Sequence, residues 1–388
     1  MQFDLVIVGG GLAGLSLACA LRETRLKIAL VETLPPPVRP AGWDARVYAI
    51  TSINAEFLQR IGIWKHLDLS RIASIQAMHV FGDAGARLNF SAYETGLSEL
   101  GWIVESSLMA CELWENAKRQ GNLTVFRGLA PVSLKTLADN AVLELNDRKT
   151  TLHAKLIVGA DGRDSWIRKA AGLTAMDTPY GEMGLVANFE CAEDHRHIAR
   201  QWFRRDGVLA WLPLPGRRIS IVWSTPEAHA RELMSLPPEE LSRRVAAAGE
   251  DKLGALTLIT PPAAFPLRLM RVPESVAPRL ALIGDAAHGI HPLSGHGINL
   301  GFQDARVLAE RLIAAPEWED IGGMRLLNSY RRARKEETLL MQTATHLLHR
   351  LFHETLPGIK TLRNVGMSLT NRLPWLKDLL IRYAAGAL

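Results

Sequence analysis

The chain reads as an α/β protein. A domain built on a parallel sheet is interrupted by an inserted, mostly antiparallel sheet and is followed by C-terminal helices. Three observations predict this. The N-terminus alternates strand, glycine-rich loop, helix and strand. Two later strands end in Gly-Ala-Asp-Gly and Gly-Asp. The middle of the chain carries short apolar runs with turn signals between them, and the end carries helical periodicity.

The first element opens the chain as "FDLVIVGGGLAGLSLACALRETRLKIALVE". Phe3–Val8 is an apolar, β-branched run of the kind found in a buried parallel strand. Gly9, Gly11 and Gly14 follow as G-x-G-x-x-G, flanking Leu12 and Ala13. Leu15–Arg22 reads as a helix, and the "KIALVE" run as a second strand closed by Glu32. Together they make a Rossmann-like βαβ unit of about 30 residues. The glycines permit a tight turn and a close approach of the backbone to a pyrophosphate, and the helix N-terminus offers unpaired N–H groups. Glu32 stands where an acid accepts hydrogen bonds from ribose hydroxyls, which favours NAD or FAD over NADP. This motif alone does not choose between them.

The second and third elements repeat a strand that ends in an aspartate. "KLIVGADGRDSWIRKAAG" places Asp161 and Gly162 at the turn before a helix. In "RLALIGDAAHGIHPLSGHGINLGFQDARVLAERL" a strand runs through Gly284 and ends at Asp285. A Gly- and Pro-rich loop follows, then a helix from near Gly297 through Leu312. An aspartate at a strand end can fix a sugar or ribityl hydroxyl.

Between these elements, residues 77–92 read as a hairpin turning at "DAGA". The segments 184–191 and 201–224 read as further antiparallel strands, with "PLPGRR" between two of them. "PPEELSRRVAAAG" reads as a helix led by proline. Trp202, Phe203, Trp211, Leu212, Pro213 and Trp223 either line the apolar side of a substrate pocket or are core.

The last 60 residues are helical in pattern. Leu339, Leu340, Thr343, Leu347, Leu348, Leu351 and Phe352 recur at helical spacing, before Pro357-Gly358 and a second stretch leading to Pro374. Lys360, Arg363, Arg372, Lys377 and Arg382 lie among leucines and Trp375. Such a basic amphipathic segment suits a membrane surface or a partner protein, and equally a simple cover for the core.

On these motifs the chain resembles the single-component flavin-dependent aromatic hydroxylases, the group that includes 4-hydroxybenzoate hydroxylase. The tail is similar to the ubiquinone-biosynthesis hydroxylases through Tyr330-Arg331-Arg332, Leu362-Arg363-Asn364, Asn371, Leu373-Pro374 and Leu376-Lys377. The resemblance implies that Gly9, Gly11, Leu12, Ala13, Gly14 and Glu32 hold the ADP half of FAD. It implies that Asp161 and Gly162 serve both FAD and a transient NAD(P)H reductant, and that Gly284 and Asp285 hold the ribityl chain. Pro292, Gly295, Gly297, Ile298 and Asn299 would pass the isoalloxazine ring, and Arg46 in "DARVYAIT" would lie near the cofactor. The implied reaction is hydroxylation of the aromatic ring of a polyprenylphenol in ubiquinone biosynthesis, by O2 through a C4a-hydroperoxyflavin. No catalytic base is assigned; His296, where the pathway relatives read Gln, and Arg46 are the candidates. The implied partners are the polyprenylphenol, O2 and a ubiquinone-biosynthesis protein complex, with peripheral membrane contact through the C-terminal helices. The FAD-binding domain would comprise 1–75, 98–180 and 272–335, the substrate-binding sheet 76–97 and 181–271, and the C-terminal helical segment 336–388.

Composition bounds these readings. The chain has 388 residues, 48% hydrophobic and 22% charged, so it can bury a large core and is not of disordered type. The net charge of +5 is dispersed, which argues against a nucleic-acid partner. Cys19, Cys111 and Cys191 are odd in number and far apart, as suits a reducing, cytoplasmic setting. The N-terminal apolar run lacks a preceding basic residue and so is not read as a signal peptide. No apolar stretch is long enough to predict a transmembrane helix.

Asp285, His288, His291 and His296 together resemble a metal ligand set. The loop must instead carry the chain from strand to helix past a large planar ring, so no metal is expected, and His288 and His291 are read as bonding to backbone. Three rival functions stay open: a hydroxylase of a small soluble aromatic or secondary metabolite, a flavoprotein that reduces isoprenoid double bonds, and a non-catalytic dinucleotide sensor.

Overall fold

The computed structural model describes residues 1–83, 85–290 and 297–353, together with residues 370, 371 and 377. Among the described residues the strands fall into three sheets. The first strand, Gln2–Val8, lies at the centre of the largest parallel array. It pairs in parallel with Ile28–Glu32 on one side and Thr151–Gly159 on the other. Leu123–Arg127 and Leu280–Leu282 extend the array in parallel at the two flanks. All five strand segments are short and rich in Val, Ile and Leu, because both faces are covered. One face packs on the helices Leu12–Ala20, Ser106–Ala117 and Gly297–Ala314, around Leu15, Leu113 and Phe302. The other packs on the hairpin formed by Pro131–Thr136 and Ala141–Leu145 and on the short helix Trp166–Ala170.

The middle of the chain builds a nine-stranded sheet that is antiparallel apart from one pair. Its backbone is Met176–Cys191, Arg218–Pro226, Gly207–Leu214 and Ile198–Arg204, paired in that order. The 77–92 hairpin is present as Ala77–Phe81 and Arg87–Ser91 and joins the edge through a parallel pairing with Ile198–Arg204. Met176–Cys191 begins in the stretch assigned to the parallel-sheet unit and runs on into the antiparallel one, so one strand ties the two together. A third, three-stranded sheet of Val47–Ile50, Gly101–Glu105 and Ala73–Ile75 lies beside them; this element had no clear period-two signal.

Alternation sorts the aromatic residues of the middle segment. Trp202, Trp211 and Trp223 share one face with Leu185, Phe189 and Ile221. They pack on the helices Glu227–Ser235 and Pro238–Ala248. Their neighbours Ala210, Leu212, Val222, Val186 and Asn188 face the opposite way, where Leu212 packs with Val47 and Ala49. The three tryptophans are therefore core, and the other face of the sheet meets the three-stranded sheet through Leu212 and Leu214.

The long helix Met324–His353 appears where helical spacing predicts it. Its burial does not follow the leucines: Leu339, Leu340 and Leu347 are 50%, 53% and 58% exposed. The buried stripe is Leu326, Leu327, Tyr330, Arg334, Met341, Gln342 and Thr345. No helix among the described residues is long and apolar enough to cross a membrane.

Candidate functional site

The three strand-end motifs meet at the carboxyl edge of the parallel sheet, where an open α/β sheet binds its ligand. Gly9 adopts φ +109°, and a Cβ there would stand 2.3 Å from the Ala160 carbonyl oxygen, so the first and second turns touch. A Cβ on Gly14 would stand 2.0 Å from the Gly9 carbonyl oxygen, which lets the helix start directly on the strand end. A Cβ on Gly11 would meet nothing within 4 Å, so that side of the turn is open. Gly11 also begins the Leu12–Ala20 helix with no side-chain cap, so the first N–H groups of the helix, at Leu12 and Ala13, are left without a side-chain acceptor. An uncapped helix start beside an open glycine is what an entering pyrophosphate needs. Gly284, at φ +59°, closes the cluster: its Cβ would lie 3.1 Å from Ala13, and its Cα faces Gly301.

Glu32 sits beside this turn. Its carboxylate accepts from the Gly10 N–H at 2.5 Å and from the Leu34 N–H at 2.7 Å. Two backbone bonds leave further lone pairs for ribose hydroxyls. Asp161 is engaged differently. Its two oxygens accept from Ser165 Oγ at 2.5 Å and the Ile167 N–H at 3.0 Å, so it caps the Trp166–Ala170 helix. Gly162 follows at φ +81° with open space around it. The buried Arg168 then donates to the Ala286 carbonyl at 2.9 Å and the Arg163 carbonyl at 2.8 Å, bridging the second motif to the third. The strand expected to run through Gly284 ends at Leu282, because the chain turns at Gly284, and Asp285 is exposed in the short turn Gly284–Ala286.

Arg46 is exposed and its guanidinium lies 5.5 Å from the Tyr48 ring centroid. Burial pushes the Tyr48 phenol up, and Asp285 adds to this against the opposing charge of Arg46. Tyr48 therefore stands between the Arg46 strand and the Asp285 turn as a neutral phenol. Its place two residues after Arg46, in the strand that follows, was the available signal. The loop before it is held by a buried network. Glu105 accepts from Arg71 Nε at 2.6 Å and Nη2 at 2.7 Å and from the Asp44 N–H at 2.6 Å. Asp44 in turn accepts from the N–H groups of Arg46 and Ser107, each at 2.9 Å. Asn188, on the inner face of the antiparallel sheet, donates to the Asp44 carbonyl at 2.8 Å. One loop thus touches both the start of the Ser106–Ala117 helix and the antiparallel sheet.

The helix Gly297–Ala314 starts at the same crevice. Asn299 is buried and its side chain is taken up by neighbours: Nδ2 donates to the Ala49 carbonyl at 2.7 Å, and Oδ1 accepts from Asn54 Nδ2 at 2.9 Å and the Thr51 N–H at 3.1 Å. A contact of Asn299 with a cofactor would use its backbone, as would one from Gly297 or Ile298. Pro292, Gly295 and His296, with His291, lie outside the described residues.

His288 corrects the reading of a backbone-bonded loop histidine. Its Nε2 lies 2.6 Å from Asp304 Oδ2, a fully buried carboxylate on the Gly297–Ala314 helix. The same oxygen accepts from the Gly284 N–H at 2.9 Å, and Oδ1 accepts from Arg334 Nε at 2.7 Å. Burial alone would raise the Asp304 carboxyl; His288 and Arg334 outweigh it and hold it below its usual range. Asp304 was missed in the sequence because an acid inside a helix usually faces water. Its flanks, Leu300–Phe302 and Val307–Ala309, are apolar and buried, and that was the clue.

The arrangement defines a dinucleotide-binding flavoprotein fold, and comparison with known proteins specifies the family. The chain belongs to the FAD binding domain family, whose model matches residues 2–343. Ubiquinone hydroxylase UbiL of Rhodospirillum rubrum is 35% identical, across 99% of this chain and 90% of that protein. The 3-demethoxyubiquinol 3-hydroxylase of Escherichia coli is 30% identical, across 99% and 98%. The human mitochondrial ubiquinone biosynthesis monooxygenase COQ6 is also 30% identical, across 99% and 92%. Among solved structures, Pseudomonas aeruginosa PqsL in complex with 2-aminobenzoylacetate has a TM-score of 0.78 at 21% identity, covering 95% of this chain and 99% of that one. The p-nitrophenol 4-monooxygenase PnpA of Pseudomonas putida has a TM-score of 0.79 at 18% identity, covering 98% and 97%. These two share the fold. The cofactor is FAD, and the open Gly11 turn, the uncapped helix start and the free face of Asp285 fit it.

Proposed function

We propose that this protein is an FAD-dependent monooxygenase that hydroxylates the aromatic ring of a polyprenylphenol in ubiquinone biosynthesis, with NAD(P)H as reductant. The carrying observation is likeness along 99% of the chain to relatives named as hydroxylases of this pathway. The fold supports it, because three turns meet at one crevice beside a second sheet. Bound FAD supplies the activation of O2 and the delivery of oxygen to an electron-rich ring. The chain's own residues bind, orient and exclude water. Gly9, Gly11, Leu12, Ala13 and Gly14 present backbone to the pyrophosphate, and Glu32 accepts from the ribose. Gly284 and Asp285 receive the ribityl chain, with Asp161 and Gly162 shaping the adjoining turn. The start of the helix at Gly297, Ile298 and Asn299 would offer backbone N–H groups to the ring, a suitable place for negative charge on reduced flavin. Arg46 brings a positive charge to the rim.

The parallel-sheet segments form the cofactor domain and the nine-stranded sheet the substrate wall. Val186, Ala210, Leu212 and Val222 make one face of that sheet apolar, and Leu212 on it packs with Val47 and Ala49. The exposed Leu339, Leu340 and Leu347 support a peripheral placement at a lipid surface, where a polyprenyl tail resides.

The test is mass spectrometry of quinone lipids in a strain lacking the gene. An under-hydroxylated polyprenylphenol should accumulate and ubiquinone should fall, with both restored by the wild-type gene. An unchanged pool, with no second gene covering the loss, would remove this function in favour of a small aromatic substrate.

A further inference from the structure

The buried stripe of the Met324–His353 helix begins with Leu326 and Leu327 but carries polar groups further on, at Arg334, Gln342 and Thr345, where a simple cover would stay apolar. Arg334 is 5% exposed, and its Nε donates to Asp304 Oδ1 at 2.7 Å. One turn later it also pairs with Glu337, and its Nη2 reaches the Leu300 carbonyl at 3.4 Å. Two turns further, Gln342 Nε2 donates to the Met270 carbonyl at 2.8 Å and the Gly289 carbonyl at 3.2 Å. Between them Met341 packs on Ile290 and Leu300. Tyr330 Oη donates to the Leu282 carbonyl at 3.0 Å. Apart from the Met270 carbonyl and Glu337, these contacts land on the strand, turn and loop at 282–290 or on the helix that follows. A stripe at helical spacing therefore grips the third cofactor turn from behind, without reaching the crevice itself.

We propose that Arg334 and Gln342 are positioning residues for the flavin. The structure assigns the C-terminal helix the task of setting the Gly284–Asp285 turn, through Asp304 on one side and the Gly289 carbonyl on the other. Asp304 is the pivot. One of its oxygens holds the Gly284 N–H and His288, while Arg334 holds the other. Removing Arg334 takes the guanidinium from a buried carboxylate, and the turn it holds relaxes. Because the helix and the flavin bias the same turn, each must strengthen the other's hold on it.

This inference rests on the flavin reading and not on the substrate, so its readouts are cofactor affinity and amide exchange. The apoprotein is titrated with FAD by fluorescence quenching, for the wild type and for Arg334→Lys, Arg334→Met and Gln342→Leu. Loss of a hydrogen bond to a charged group corresponds to about tenfold or more in affinity. Arg334→Met should weaken FAD by that order. Arg334→Lys should recover part of it, since a point charge reaches Asp304 but does not reproduce the fork. Gln342→Leu should weaken FAD to a lesser degree, and Arg325→Ala, at an exposed ion pair on the same helix, should leave it unchanged. In wild-type protein, FAD should slow hydrogen exchange at 330–342 as well as at 284–290. Wild-type affinity in both Arg334→Lys and Gln342→Leu, or no FAD-dependent protection in the helix, would overturn the proposal. The exchange measurement decides even if Arg334→Met does not fold. Full FAD affinity with no activity on a polyprenylphenol would count against the substrate alone.

Discussion

Asn54 Nδ2 donates to Asn299 Oδ1 at 2.9 Å, while Asn299 Nδ2 donates to the Ala49 carbonyl at 2.7 Å. Two buried amides thus tie the start of the Gly297–Ala314 helix to the strand that follows Arg46. Asn299→Ala leaves the Ala49 carbonyl, the Thr51 N–H and the Asn54 amide short of partners. We expect a loss of about 2–4 kcal/mol in stability, read by urea denaturation of the apoprotein. Asn299→Asp should also destabilise, because it keeps the acceptor and lacks the donor. A loss below about 0.5 kcal/mol, typical of a surface site, would sink this account.

Glu32 joins the glycine turn to the end of the second strand through the N–H groups of Gly10 and Leu34. Glu32→Gln removes the charge from both bonds and from the site offered to the ribose. FAD should bind about tenfold or more weakly, the equivalent of one charge-assisted hydrogen bond. Flavin retained through gel filtration and a fluorescence titration both report this. Unchanged retention would mean that Glu32 only shapes the turn.

Glu105 is buried and grips Arg71 through two bonds, and Arg71 in turn lies 4.6 Å from the Trp43 ring centroid. Arg71→Ala strands the carboxylate, which costs about 3–5 kcal/mol when a buried pair loses one partner. The paired change Arg71→Met with Glu105→Leu should recover much of the loss. A double-mutant cycle by denaturation measures the coupling, and additive effects would contradict the pairing.

Trp211 has no solvent exposure, and a Cβ on Gly249 would lie 2.1 Å from its ring. Trp211→Ala should therefore cost about 3–5 kcal/mol, as for a large core side chain. Gly249→Ala should destabilise by about 1–3 kcal/mol through overpacking. If Trp211 instead lined the substrate pocket, its truncation would raise KM with little effect on the denaturation midpoint. Measuring both quantities on Trp211→Leu separates the two.

Asp304 predicts a pH dependence with a definite sign. Its carboxyl is held below 3.8 in the folded protein, where His288 and Arg334 outweigh burial. A carboxyl depressed by folding contributes stability that is complete above its unfolded value, about 3.9. That contribution is lost as pH falls through the folded value. The denaturation midpoint of the wild type should fall as pH drops below about 4, and Asp304→Asn should flatten that limb while lowering stability at neutral pH. An identical acid limb in both proteins would assign the dependence elsewhere.

The cofactor half of the site was legible because its chemistry needs local patterns. Gly9 and Gly14 sit where no Cβ fits, Glu32 closes a strand, and Asp285 lies in the turn just past Leu280–Leu282. The substrate half was less legible. Trp202, Trp211 and Trp223 look like pocket residues in a list, and only strand register sorts them onto the helix-covered face. Asp161 reads as a sugar ligand, yet its oxygens cap the next helix. Tyr48 and Asp304 gave weak signals, because their partners lie far away in the chain.

What the sequence by itself determined is whatever depends on spacing along one segment: the βαβ turn, the strand-end aspartates and the helix over Met324–His353. Those follow from backbone geometry, in which neighbours in sequence are neighbours in space. Tertiary structure decided which side of each element is used. It turned the tryptophans into core, left Leu339, Leu340 and Leu347 facing out, and buried Arg334 and Gln342 against the cofactor turn. A buried charge is stable only with its counter-charge in place, and the partner of Arg334 lies 30 residues earlier, on a different helix.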